Sequence, residues 1–434
     1  MSTIAESTKP ANNLMAQVMG HRDFRLLWLG QSTSLIGDQF YLIALPWLVL
    51  RLTGDPLALG LVLALAGVPR AAFMLIGGAV TDRFSPRTIM LGSDIIRLVL
   101  VLLLAVAVLT GTIQLWMLYG FSLAFGVFAG LFQPASISMV PTLVSADELQ
   151  AGNANFQGSS QLAGFIGPAL AGAVIGWFAH AATQGPAELT GVGLALAVDA
   201  ATFGVSVLTL WAMRTGRPAP ATGESVWSSI GAGIRFAWDE PTLRVMLVVM
   251  ALANLFFTGV MLVGIPVLAD VRLPEGAVAF GIIMSAYAGG NMAGILVTGS
   301  LPKPNGRLLR VALVAMLTLF GLAQVAFVWV NATWVAFSML LLLGLANGYF
   351  MITLITVLQR ITPKVMLGRM MSLMLFTSAG LMPVSQAAAG ALSRWSLNGL
   401  FLVSGTLMVL LAAWTGVQPA MGRLSEVLAR AEAK

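Results

Sequence analysis

The chain has 434 residues, 58% of them hydrophobic and only 9% charged, with a net charge of +6. Soluble domains carry about 25% charged residues and must coat themselves with polar groups, so a water-soluble globule is excluded and lipid is the main solvent. The basic balance does not point to nucleic acid, because the cations sit in short connectors between apolar runs and such placement sets membrane topology.

The first 23 residues are polar and lead straight into a full-length apolar span, with no small-residue cleavage site after a short apolar core; no cleaved signal peptide is expected. A helix needs about 20 apolar residues to cross a hydrocarbon core ~30 Å thick, and only helices or closed barrels satisfy the backbone in lipid. The runs are long and unbroken, which predicts an all-α membrane protein. Twelve spans are expected, at roughly 24–50, 57–80, 88–110, 113–141, 149–178, 190–213, 242–268, 278–301, 307–329, 332–360, 365–393 and 396–418.

An even number of spans puts both termini on one side. That side holds 18 Lys and Arg, the opposite connectors only Arg51, Arg272 and Arg394. The bias predicts cytoplasmic termini in a multi-pass cell-membrane protein. The longest connector, 214–241, divides the spans six and six, giving an N-terminal bundle 1–213, a cytoplasmic linker, and a C-terminal bundle with tail 242–434. Trp227, Ile230, Ile234 and Trp238 stand at helical spacing in that linker, which predicts a short amphipathic helix on the membrane face or on the bundle ends. Two pseudo-symmetric six-helix bundles are a transporter signature.

Five charges fall inside spans, all in the first half: Asp38, Arg70, Asp94, Arg97 and Asp199. Each costs about 2.5–3.5 kcal/mol at mid-membrane and calls for a partner or a wet cavity. Asp38 on span 1 and Arg70 on span 2 lie near the midplane and are expected to face the interior and interact directly or through water. Asp38 is the candidate proton carrier; a static ion pair holding spans 1 and 2 in register is the alternative. Asp94 and Arg97 are spaced i, i+3 on span 3, where they can pair on one helix face in a structural role. Asp199 has no partner that can be named. Gln31, Tyr41, Gln133, Gln161, Asn254, Tyr287, Asn291 and Asn347 are candidate cavity-lining groups among many Leu, Met and Phe. Small residues recur at four-residue spacing at Ser160, Gly164, Pro168, Gly172 and Gly176 of span 5 and at Ala286, Gly290 and Gly294 of span 8. Such stripes allow close helix approach and are expected at a sliding seam.

The hairpin after span 2 reads GGAVTDRFSPR, and span 5 contains GFIGPALAG. The first resembles the signature hairpin of the major facilitator superfamily in Gly78, Asp82, Arg83 and Arg87, with Pro86 standing where that family has a basic residue. The second resembles its antiporter-type Gly-Pro motif in Gly164, Gly167, Pro168 and Gly172. FRLLWLGQSTSLIGDQF, LPWLVLRLTGDPLALG, GIRFAWDEPTLR and TPKVMLGRMMSL are similar to the branch of enterobactin exporters and macrolide or multidrug efflux pumps. The resemblance implies spans 2, 5, 8 and 11 between the bundles. It also implies a conformational role for Asp82 against the start of span 11 near Gly368 and Arg369; a plain topology anchor is the bland reading.

No Walker loop, catalytic triad or metal-ligand spacing is present in the sequence, so neither an ATPase, another enzyme, a metal site nor a resident cofactor is expected. With no Cys, disulfide and iron–sulfur chemistry are excluded. The expectation is a monomeric proton-coupled exporter of amphiphilic small molecules, with protons, substrate and membrane lipid as partners. A lysophospholipid-like carrier, an uncoupled facilitator and a ligand-binding membrane sensor are the alternatives.

Overall fold

The computed structural model describes residues 11–81, 84–181, 189–214, 235, 238–300, 306–362, 366, 370, 373–374, 377 and 379–422. The described residues are helical, without strands. A short helix, Ala11–Gly20, precedes the spans. The first six are α1 (Arg22–Thr53), α2 (Pro56–Thr81), α3 (Pro86–Leu109), α4 (Leu115–Met139), α5 (Leu149–Ala181) and α6 (Thr190–Ala212). The second six are α7 (Pro241–Arg272), α8 (Ala277–Ser300), α9 (Gly306–Ala326), α10 (Thr333–Ile361), α11 (Met382–Trp395) and α12 (Leu397–Val417). Eleven of these twelve are long and apolar enough to cross a membrane. The exception is α11, because the predicted span 365–393 begins among residues outside the described set.

Local chemistry explains the boundaries. The chain leaves α1 through Gly54, whose φ of 62° is open only to glycine at little cost. Ser85 caps α3, with Pro86 at its first position, and Ser396 caps α12. Within α7, residues Val260–Gly264 form a π turn. Ser385 of α11 lies beside it; its hydroxyl accepts from the Gly259 N–H at 2.7 Å and donates to the Leu255 carbonyl at 2.5 Å.

Each set of six packs as a bundle: α1 on α5 and α6, α2 on α4, and α3 on α4 and α6; in the second set α8 on α10, α9 on α12, and α7 on α11 and α12. The two bundles meet where α5 lies on α8 and α2 on α11. Spans 2, 5, 8 and 11 therefore do lie between the halves.

The bundle has a terminal end, where α1 begins and α12 finishes, and an opposite, far end. At the far end the halves are tied together. A Cβ on Gly172 would stand 2.6 Å from the Ala277 carbonyl, and one on Gly390 would stand 2.8 Å from the Pro56 carbonyl, so only glycine permits these approaches. Arg51 pairs with Asp270 at 3.2 Å and stacks on Trp47, while Arg394 lies 3.8 Å from Asp55. At the terminal end the named polar contacts join elements of one half. The Arg87 guanidinium donates to the Leu210 and Trp211 carbonyls, both at 2.8 Å. His21 meets Glu148 at 3.1 Å, and the Arg214 N–H donates to Asp23 at 3.0 Å. The Glu148 carboxyl lies below its ordinary range, chiefly because the Ser145 N–H bonds it, with His21 adding to the effect.

The span 8 stripe does not lie at the seam that its spacing predicts. Gly290 and Gly294 abut the Leu341 and Leu345 carbonyls of α10, within the second half. Gly281 faces α5 instead, with its Cβ position 3.0 Å from the Gly172 Cα. Four-residue spacing demands a close neighbour without naming it. The Asp82 and Arg83 positions, the surroundings of Gly78, the start of span 11 at Gly368 and Arg369, and the linker positions Trp227, Ile230 and Ile234 lie outside the described residues.

Candidate functional site: a charged chamber and a separate apolar pocket

A cavity of about 680 Å³ runs between the halves. Its charged wall and most of its polar wall come from the first half: Gln31, Ser34, Asp38 and Tyr41 of α1, Arg70 of α2, Arg97 of α3, and Gln133 and Ser136 of α4. From the second half come Leu262, Phe280, Met382 and Gln386. The wall continues along Asn153, Gln157 and Ser160 of α5, where Asn153 and Gln157 are exposed, so the chamber opens at the terminal end. Toward the far end it is closed by Leu45 and Pro46, Leu45 being fully buried.

Asp38 and Arg70 thus share one chamber, in line with their depth in spans 1 and 2. No direct ion pair joins them; Asp38 is half-buried and Arg70 exposed to the cavity. Arg97, Arg70, Asp94 and Asp199 all lie within electrostatic reach of Asp38.

Asp94 and Arg97 behave differently. They pair on one face of α3, and the Ser206 hydroxyl donates to the second Asp94 oxygen at 2.6 Å. The Arg97 guanidinium is sandwiched at 4.1 Å from the Phe132 ring and 4.6 Å from the Phe203 ring, a cation–π arrangement. Asp94 is 0% and Arg97 5% exposed, so the spacing argument for a buried pair holds, and Arg97 also reaches the chamber wall. Asp199 is fully buried against Gly37 of α1, and neither carboxylate oxygen has a hydrogen-bond partner among the described residues.

In the antiporter-type segment, Gly167 packs on Gln39 of α1, Pro168 and Gly172 on Gly281, and Gly164 stands nearest Ala288. The Ala169 N–H donates across the seam to the Ser285 hydroxyl at 2.9 Å.

Of the neutral candidates, Gln31, Tyr41 and Gln133 line the chamber and Gln161 does not. Asn254 and Asn347 line a separate pocket of about 90 Å³ inside the second half. Tyr287 and Asn291 are on neither wall; their backbones pack against Gly344 and Gly348 of α10. The chamber residues missed in the sequence include Asn153, Gln157 and Ser160. Their spacing of i, i+4, i+7 marks one helix face, which was the available signal.

A model of the Major Facilitator Superfamily matches residues 27–387. The chain belongs to the Major Facilitator Superfamily. It is a multi-pass membrane transporter, not an enzyme. It is 26% identical over 360 residues to the Enterobactin exporter EntS of Escherichia coli O1:K1 / APEC, covering 80% of each chain. It is 24% identical over 402 residues to the Multidrug efflux pump Tap of Mycolicibacterium fortuitum, covering 89% of this chain and 93% of that one. Among solved structures, a bacterial homologue of the iron transporter ferroportin in an inward-facing state superposes with a TM-score of 0.65 at 17% identity, covering 92% of this chain and 99% of the other. A bacterial homologue of the human lysosomal transporter Spinster, inward-facing and unoccupied, gives 0.66 at 13% identity over 98% and 99%. These two likenesses speak for the fold alone.

Proposed function

We propose that this transporter exports amphiphilic small organic molecules across the cell membrane by proton antiport with alternating access. The observation that carries the reading is Asp38: a carboxylate on the wall of the chamber, half-buried and free of a direct ion pair among the described residues. Asp94 is locked by Arg97 and Ser206; Asp38 can gain and lose a proton through the cavity. The 18-to-3 bias of Lys and Arg makes the terminal end cytoplasmic, so the chamber faces the cytoplasm. In this state Asp38 gives up its proton to cytoplasmic water and the substrate enters. Breaking the far-end contacts of Arg51, Arg394, Gly172 and Gly390 and closing the terminal end would expose the same wall outside. There the substrate leaves and an Asp38 oxygen takes a proton. Arg70 and Arg97 stand on the same chamber wall as Asp38. The exporter names of the two relatives agree with the direction. The first six-helix unit, 1–213, carries the coupling charge, and the second, 242–434, completes the path within one monomer.

Uptake of ethidium, an amphiphilic cation, into inside-out vesicles tests this. An imposed proton gradient should drive uptake in the parent protein, and Asp38→Asn should reduce it to the level seen without a gradient. Uptake indifferent to the gradient would make the protein an uncoupled facilitator, and full gradient-driven uptake by Asp38→Asn would remove Asp38 as carrier.

A further inference from the structure

The smaller pocket sits wholly within the second half, between α7, α9, α10 and α12. Five methionines, Met250 and Met351 among them, and three phenylalanines wall it. Packed interiors do not ordinarily leave such space, and methionine is the side chain best able to fill it. A largely apolar recess of this kind suits a small apolar group.

Two features tie the pocket to the chamber. Along α7, Phe257 lines the pocket and Leu262 lines the chamber; they stand five positions apart, about 7.5 Å along the axis. The pocket is neutral, since no Asp, Glu, Lys or Arg occurs at 245–269, 311–359 or 395–422, whereas the chamber holds Asp38, Arg70 and Arg97. Two amides mark its wall. Asn254 donates to the Met250 carbonyl at 2.9 Å, and its own amide oxygen accepts no hydrogen bond among the described residues; Asn347 lines the same pocket.

We propose that the second half holds a dedicated subsite for one ring-sized apolar group of the transported molecule, while its charged or polar part sits in the chamber of the first half. The inference rests on the export reading and sharpens its substrate class. The substrate is a molecule on the order of 10 Å long, the distance from one site to the other along α7 plus a ring, with charge at one end and an aromatic or compact alkyl group at the other. A neutral hydrogen-bonding atom on that ring would meet Asn254 or Asn347.

The test uses the full chain in nanodiscs with methyl-labelled methionine, and two probes. Ethidium carries a pendant phenyl ring; 5-methylphenanthridinium keeps the cation and lacks that ring. Ethidium should shift the Met250 and Met351 methyl signals, and 5-methylphenanthridinium should leave them in place. Filling the pocket by Ala253→Phe, or by Leu317→Phe where the first variant fails to fold, should raise the KM for ethidium about tenfold, the scale of a lost apolar contact. The KM for 5-methylphenanthridinium should stay unchanged. Ethidium transport with unmoved methyl signals, or equal KM changes for both probes, overturns the subsite and leaves the export reading standing. Methyl shifts with transport indifferent to the proton gradient support the subsite and remove the coupling. Ethidium neither bound nor moved by the parent protein overturns both.

Discussion

The two halves share a fold and carry opposite loads. The first encloses every intramembrane charge: Asp38, Arg70, Asp94, Arg97 and Asp199. The second replaces them with shape: a methionine-lined pocket, small residues between α8 and α10, and a few neutral amides. The buried polar groups differ accordingly. Asp94 is answered on both oxygens by Arg97 and Ser206, while Gln324, 0% exposed, has no hydrogen-bond partner on either amide atom among the described residues. One frame can therefore keep charge in one half and apolar space in the other, because a charge demands an answered or wet site and an apolar group only demands room.

The largest expected effect breaks the answered pair. Asp94→Ala leaves Arg97 buried without its carboxylate and should cost about 3–5 kcal/mol, read as thermal stability in detergent. Asp94→Asn should cost less, because an amide can still accept from Arg97. A loss from Asp94→Ala no greater than that from Asp94→Asn would show that the retained amide acceptor recovers nothing and that the charge itself holds the pair.

Next comes the seam between the halves. Gly281→Leu overpacks the contact with Gly172 and Pro168, a change worth about 1–3 kcal/mol. It should shift the balance toward an opened far end by roughly 5–150-fold, visible as longer distances between spin labels at Leu52 and Leu273. Gly290→Leu, which meets α10 inside the second half, should lower stability and leave those distances alone. Equal distance shifts in both variants would erase the distinction between packing within a half and packing across halves.

A smaller, opposite effect is expected from Gln324→Leu. Removing two unanswered polar atoms should raise stability by about 1 kcal/mol, in contrast to any loss at Asp94. Destabilisation by that change would reveal a polar role for the second half.

The smallest effect lies at the terminal end. Glu148 is held below its ordinary range, first by the Ser145 N–H and then by His21. A depressed carboxyl contributes stability above its unfolded value of about 4.3, and that contribution fades as pH falls through the folded value. His21→Ala removes only the second cause, so the Glu148 titration seen by carboxyl NMR should move up slightly and stay below the unfolded value. A full return to the unfolded value would reverse the order of the two causes.

The spans were legible because twenty apolar residues in a row have few other uses. The depth of Asp38 and Arg70 was legible because a charge in lipid must find a cavity, and both did. Partners were harder to read. Gly290 and Gly294 announce a close neighbour, but a helix touches several others, and theirs proved to be α10 instead of α5. Gln161 stands out only as a polar residue in isolation; the face that lines the chamber is one position away, at Asn153, Gln157 and Ser160. Asn254 and Asn347 read as chamber residues because sequence gives depth in a span without direction around it, and they open on the other pocket.

The π turn at Val260–Gly264 bears on that direction. A wider turn takes up one residue more than an α turn does, which rotates the remainder of the helix by roughly 100°. Phe257 stands before this slip and Leu262 within it, and the two serve different spaces. A single rod thus presents one compass bearing to the methionine-walled recess and another to the charged vestibule, and the count of residues between 259 and 265, more than their identity, sets the angle between the two.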